Sequence, residues 1–480
     1  MPTTNINANF TIYEDETYEG TWAFNWEGTA VVANYGTILG TIGAFDSWNA
    51  FGTLTNHGTI DVNGSGYVYG FYSPNWAPQI FNIGSWTVRG QYAVGVETYG
   101  SSPYVPGADV TNSGDWIVEG VSGAIGVYLN NGDAVVNSGD MIVSASAGQA
   151  IGVMMDRSGT VVNSGLIQAS GVTSIGIALA ETFGGVWSID NSGTITAQYA
   201  ILGITNGGLV PYFRILNTGT INGIIDLQRV SDLLDNRGTI NGNVFMFSGD
   251  DVIDTSLGVI NGLVYLEDGN DSFTGGAQGQ AVFGGLGDDQ INGGDGADQM
   301  YGRQNDDTLS GDAGADALYG GDGNDQLHGG ADGDMLDGGN GADVINGGDG
   351  VDSIFGRDGD DVLDGGLGDD TMFGGNGADV FVFSTTLSAV NIDRILSFDV
   401  AADTIQLDVD IFTAVDVGAL AVGAFVVGAT AGDADDRIIY DPTTGALYYD
   451  ADGDGAGSAV QFATLSPGLA LTAADFLGGP

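Results

Sequence analysis

The chain has 480 residues, 84 of them Gly, with 62 acidic side chains against nine basic ones, for a formal net charge of −53. A surface of that sign excludes nucleic acid, anionic membrane and acidic glycan as partners and leaves divalent cations as its natural counter-charge. All nine cations are Arg and there is no Cys or Lys, which removes thiolate and Schiff-base catalysis. No apolar run reaches the eighteen or so residues of a membrane span.

Residues 1–33 are dense in aromatics (Phe10, Tyr13, Tyr18, Trp22, Phe24, Trp26) beside Glu14, Asp15, Glu16, Glu19 and Glu27. The expectation is an N-terminal cap or an assembly segment. The first twenty residues have neither a basic nor an apolar region, so they do not read as a cleavable signal peptide.

From residue 34 to 275 a loose repeat takes over, marked by Asn-x-Gly followed by a β-rich segment. It starts at Asn34, Asn56, Asn82, Asn112, Asn137, Asn163, Asn191, Asn217 and Asn236, at spacings of 19 to 30. Such a period predicts a solenoid. A second segment (YAVGVE, AIGVYL, AIGVMM, SIGIAL) and a third that leads back into the Asn (ADVTN, AVVN, TVVN) give three short strands per coil, a right-handed parallel β-helix. The Asn column predicts an amide ladder. The segment is similar to the β-helices of bacterial adhesins and autotransporter passengers.

Residues 276–382 change rhythm. From Gly284 to Val382 run eleven nine-residue units without insertion, from GGLGDDQIN to GGNGADVFV. Position six is Asp throughout: Asp289, Asp298, Asp307, Asp316, Asp325, Asp334, Asp343, Asp352, Asp361, Asp370 and Asp379. Position eight is always apolar. Two units make one turn, so each Asp lies over the Asp eighteen residues on, about 4.8 Å away at strand spacing. Bare carboxylates so stacked repel, and calcium, which takes six to eight oxygens, resolves the repulsion. The pattern is the calcium-binding RTX nonapeptide. Arg303, Asp312 and Arg357 replace its second Gly, and Asn305 and Asp332 its third. Fragments of it precede the run in GDDVID, with Asp251, and GNDSFT, with Asp271, while Gln280 stands where Asp belongs in GGAQGQAVF. An ion is therefore expected between the loops of Asp271 and Asp289, and a weaker one or none between those of Gln280 and Asp298.

Residues 383–480 alternate as short strands around the turn PTTG, which predicts a small antiparallel β cap. This end resembles the C-terminal regions of type I secreted RTX proteins, serralysin-like proteases among them. The resemblance implies an uncleaved export signal here, passage through type I secretion machinery, and an extracellular or cell-surface location. The run Asp450, Asp452, Asp454 provides either another calcium site or an acidic turn.

The expected fold is therefore all-β: a right-handed parallel β-helix running into an RTX calcium β-roll, with a C-terminal cap. The metal ligands are the eleven position-six Asp with Asp251 and Asp271, and several Ca2+ ions are the cofactor. No catalytic residue is assigned. The metalloprotease HExxH is absent, and His57 and His328 fall at variable repeat positions. The expected role is a structural one: a surface-layer, filament or adhesin subunit that self-associates or meets a surface glycan. The alternative is a carbohydrate-active β-helix (lyase, hydrolase or epimerase), since the layout also resembles secreted alginate epimerases.

Overall fold

The structure is a computed structural model. It describes residues 52–479 apart from 74–77, 100–107, 131–132, 157–158, 182–185, 206–211, 229–230 and 456; before residue 52 it describes seven short backbone strands and the side chains of Asn34 and Ile38. Two compact units follow each other, Met1–Tyr265 and Leu266–Pro480. Among the described residues every regular element is a strand or a short 3₁₀ turn.

In the first unit the chain stacks on itself in parallel. One ladder is made by the strands that lead into each Asn, among them Gln79–Asn82, Asp109–Asn112, Gly159–Asn163 and Trp187–Asn191. Their register sets Asn over Asn, from Asn34 over Asn56 through Asn56 over Asn82 and Asn163 over Asn191. A second ladder begins three residues after each Asn, pairing Ser85 with Asp115 and Thr194 with Thr220. A third carries the small-and-apolar segments, pairing Val127 with Val153 and Val153 with Ile177. Three ladders per coil is the expected parallel β-helix.

Strand alternation explains the core: Val110, Val135, Val161, Ile189 and Ile215 are each 0 % exposed, with polar or half-exposed neighbours between them. The Gly of each Asn-x-Gly turns a corner against the coil before it. A methyl group on Gly114 would lie 2.0 Å from the Gly84 carbonyl oxygen, so no larger residue fits.

Each Asn is buried and donates from Nδ2 to Oδ1 of the next, at 2.8 Å for every step from Asn34 to Asn236. The other Nδ2 hydrogen points to a backbone carbonyl, as from Asn163 to Thr194 at 3.2 Å. Asn236 ends the run by donating to Thr255 Oγ1 at 3.0 Å. An amide is donor and acceptor at once, so identical neighbours satisfy one another and nothing else is needed.

Parallel pairing reaches back to Thr3, with Thr3 beside Ala23, Phe10 beside Val32 and Thr17 beside Thr37. The backbone there contributes a further coil. The side chains of the aromatic block lie outside the described residues, as do the whole of Tyr13 and Trp22.

The second unit has two ladders and a period of eighteen: Gln290–Asp295 pairs with Thr308–Ala313, and Gln299–Gln304 with Ala317–Asp322. The position-eight side chains, from Ile291 to Phe381, are 0–2 % exposed and fill the space between the ladders. Asp393–Leu396 and Thr404–Asp408 extend them by one strand each. The antiparallel strands Ile438–Tyr440, Ala446–Tyr449 and Val460–Thr464 close the end, packed around Phe412 and Phe462.

Replacing Asn163 with Leu leaves Asn137 Nδ2 and Asn191 Oδ1 without each a ladder partner, and should destabilise the first unit by about 3 kcal/mol. Urea unfolding followed by Trp fluorescence measures this; a loss under about 0.5 kcal/mol would mean that the ladder contributes little.

Candidate metal centre

The nonapeptide loops share one backbone. In all eleven units the second and fourth positions take positive φ, from Gly285 at 137° and Gly287 at 117° to Gly375 at 124° and Gly377 at 140°. Glycine adopts this region freely and other residues do so at a cost of about 1–2 kcal/mol. The five departures from glycine keep the conformation nonetheless: Arg303 at 87°, Asn305 at 77°, Asp312 at 68°, Asp332 at 76° and Arg357 at 87°. The loops therefore hold one shape whatever their side chains.

Within that frame the position-six carboxylates are 0–3 % exposed. Oδ1 of each accepts the backbone N–H of the residue eighteen positions earlier, at 2.5–3.1 Å, as from Asp289 to Asp307 and from Asp298 to Asp316. Oδ2 of all eleven, from Asp289 to Asp379, is buried and has no hydrogen-bond partner. It faces the first glycine of its own loop: a methyl on Gly302 would sit 2.2 Å from Asp307 Oδ2 and 2.8 Å from the Gly320 carbonyl oxygen one coil on. That glycine thus keeps open a space edged by a carboxylate and a carbonyl.

A buried, unsatisfied anionic oxygen is expensive, and here it recurs eleven times. Among the described residues no three His, Cys, Asp or Glu side chains converge. A cation in this roll is therefore held by few carboxylates together with loop carbonyls. An all-oxygen donor set of this kind suits a hard cation of calcium's size and flexible coordination. The residues fit calcium. Its chemistry here is charge neutralisation and cross-linking of successive coils; Asp289 to Asp379 with their loop carbonyls would hold it.

Burial, with a smaller push from carboxylates one coil away, raises these groups well above the ordinary carboxylate range. Asp298, Asp325 and Asp361 are pushed up to about 6, Asp289, Asp334, Asp343 and Asp370 to about 7, and Asp307 to about 8. The backbone N–H on Oδ1 works against burial and does not overcome it.

Of the expected ligands, the eleven Asp fall into two columns, one on each ladder, and Asp271 joins one of them through its N–H to Asp289 Oδ1 at 2.9 Å. Asp251 belongs to the first unit, where its Oδ1 accepts the Asp232 N–H at 2.6 Å. Its loop repeats the alternation of positive φ at Phe247, 73°, and Gly249, 128°; so does that of Asp271 at Glu267, 79°, and Gly269, 153°. Both loops carry a side chain at position one, Met246 and Leu266, where the roll has glycine.

Three residues of the same geometry escape the nonapeptide pattern. Asp232, 2 % exposed, accepts the Phe213 N–H at 2.7 Å, its Oδ2 is buried without a partner, and burial pushes it up to about 8. Asp393 and Asp403 accept the N–H groups of Asp370 and Asp379 at 3.2 and 3.1 Å. The readable signal was Asp one residue ahead of an apolar strand, in DLLD, DRIL and DTIQLD, at spacings lengthened beyond eighteen. Asp403 differs in that its Oδ2 is taken by the Asp399 N–H at 2.7 Å. In the Asp450 run, Asp450 accepts the Asp452 N–H at 3.2 Å and Asp452 the Gly457 N–H at 3.0 Å, bonds internal to that turn.

Residues 281–309, 301–336, 310–345 and 346–381 match the RTX calcium-binding nonapeptide repeat, in four copies. A solution structure of a subunit of the mannuronan C5-epimerase from Azotobacter vinelandii matches at 26 % identity, over 31 % of this chain and 78 % of that one, with a TM-score of 0.23. No curated protein sequence matches the chain.

Raised carboxyl pKa values mean that the metal-free roll binds more protons folded than unfolded, so its stability is greatest below about pH 4 and falls as pH rises through 6 to 8. With chelator present, circular dichroism should report more β structure at pH 5.5 than at pH 8. Calcium should bind the folded roll more weakly at pH 6 than at pH 8 in calorimetric titration, because the ion must displace protons. Opposite pH trends would contradict buried carboxylates as the ligands.

Asp332 has a left-handed backbone and an exposed side chain. Asp332→Gly should stabilise the calcium-loaded roll by about 1 kcal/mol. Guanidinium unfolding in excess calcium reads this, and a destabilised variant would give the Asp332 side chain a role of its own.

Proposed function

We propose that this chain is a secreted, calcium-dependent structural protein of the bacterial surface or extracellular matrix, a surface-layer, filament or adhesin subunit. The observation that carries the reading is the set of eleven buried Oδ2 atoms without partners. At cytosolic calcium levels the carboxylates repel and the roll stays open, which suits export as an unfolded chain through type I machinery. Extracellular modules bind calcium at about 0.1–1 mM, so the roll closes once outside.

Self-association is supported by the asymmetry of the roll. One outer face carries Phe283, Tyr301 and Tyr319 stacked at 4.9 and 4.8 Å, then Asp337, then Phe355 and Phe373 stacked at 4.9 Å. The equivalent positions of the other face are Asn292, Ser310, His328, Asn346 and Asp364. The guanidinium of Arg303 lies 5.1 Å over Phe283 and that of Arg357 5.0 Å over Phe355. An apolar face bearing Arg is complementary to the acidic remainder of a second copy. The aromatic block of residues 1–33 has the composition of an interface core.

A second reading, a carbohydrate-active β-helix, is favoured by one cluster in the first unit. Tyr128 Oη donates to Asp156 Oδ2 at 3.3 Å and Asn130 Nδ2 to the same oxygen at 3.1 Å. Tyr99 packs edge-on against Tyr128 at 5.4 Å, and beside it the Glu97 carboxyl is buried and raised by that burial. Two carboxyl groups among tyrosines are the minimum for glycosidic chemistry. Reducing-end assays on neutral polysaccharides, with Glu97→Gln as control, decide this reading; absence of cleavage by the parent chain removes it.

Electron microscopy of the purified chain should show layers or fibres with millimolar calcium and none with chelator. Deleting residues 1–26 should leave a chain that still folds with calcium and no longer assembles. A truncated chain that assembles normally would make the aromatic block only a cap. An intact chain that stays monomeric in calcium at high concentration would favour an adhesin over a lattice subunit.

A further inference from the structure

We propose that Gln280 is itself a cation ligand, and that the site its amide oxygen completes is the weakest calcium site of the roll. The proposal rests on the calcium reading of the roll and adds a site outside the matched repeats, which begin at residue 281.

Gln280 heads a column. Its N–H donates to Asp298 Oδ1 at 2.5 Å, as the N–H of Asp298 donates to Asp316 and that of Asp316 to Asp334. The side chain is 5 % exposed, and its Oε1 is buried without a hydrogen-bond partner, the condition of every Oδ2 below it. A methyl group on Gly275, position one of this loop, would meet Oε1 at 2.7 Å and the Gly293 carbonyl oxygen at 1.7 Å. The same construction on Gly284 meets Asp289 Oδ2 at 2.3 Å and the Gly302 carbonyl at 2.8 Å. An amide oxygen thus stands where the carboxylates stand, beside the same carbonyl.

The residue type suits its own loop. Gly276 and Gln278, at positions two and four, are absent from the left-handed region that all eleven regular units use there. With the loop path altered, the extra methylene of Gln restores the reach. Nε2 donates to the Gln278 carbonyl at 2.5 Å, which anchors the amide and turns Oε1 toward the space between the coils. The ligand remains an oxygen and loses its charge. For calcium, affinity follows the number of charged ligands, so this position fills last.

The test is calorimetric calcium titration of the full chain, parent against Gln280→Met and Gln280→Glu, with circular dichroism to verify that each folds in excess calcium. The Met variant, similar in length and lacking the oxygen, should bind one ion fewer than the parent. The Glu variant should bind the parent's number, with the weakest class tightened about tenfold. A Met variant that binds the parent's full number would overturn the proposal, as would a Glu variant whose weakest class is unchanged. The bond to Gln278 would then make Gln280 a plug that replaces the ion. A parent chain that binds no calcium would instead overturn the calcium reading itself.

Discussion

In a solenoid each side chain is stacked on its own counterpart at about 4.8 Å, so every column must be compatible with itself. Apolar columns meet this by burial, from Val110 to Ile215 in the first unit and from Ile291 to Phe381 in the second. The Asn column meets it by hydrogen bonding, each amide giving to the next at 2.8 Å. The Asp columns meet only half of it: Oδ1 finds a backbone N–H, and Oδ2 finds nothing. A neutral ladder is complete within the chain, whereas an anionic one requires a cation from outside. The two halves of the sequence thus use the same stacking to opposite ends: the amide column closes its own hydrogen bonds, and the carboxylate columns each leave one oxygen per residue open.

That contrast was legible in the residues because a solenoid converts sequence period directly into spatial columns. The Asn-x-Gly signature gave the ladder and its register, and the nonapeptide gave the two carboxylate columns and the apolar one between them. Even the irregular residues obeyed: Arg303, Asn305, Asp312, Asp332 and Arg357 hold the glycine conformation of the positions they occupy. What escaped was whatever left the period. Asp232, Asp393 and Asp403 make the same carboxylate-to-backbone contact at spacings of 19, 23 and 24 residues, and an argument built on eighteen passes over them. The one-sided aromatic face was also hidden, because residues eighteen apart share a face while successive units alternate between faces.

The Arg residues connect strain to surface. Arg303 and Arg357 take an unfavourable backbone where glycine would be free, and each guanidinium lies over an aromatic ring of the same face. Arg357 also pairs with Asp337 at 2.5 Å in the gap between the two ring stacks. Stacking and pairing offset part of the backbone strain, by about 0.5–1 kcal/mol for an exposed cation–π contact.

The central claim is that the amide ladder stands unaided and the carboxylate ladder does not. Hydrogen exchange of the full chain, resolved by peptide and run with calcium and with chelator, tests it most directly. The account predicts that amides of the Asn-ladder strands between residues 110 and 236 stay protected in both conditions. Those of the roll between residues 289 and 379, where each position-six Asp N–H bonds Oδ1 of the next coil, should be protected in calcium alone. Equal protection of the roll in chelator and calcium would contradict it.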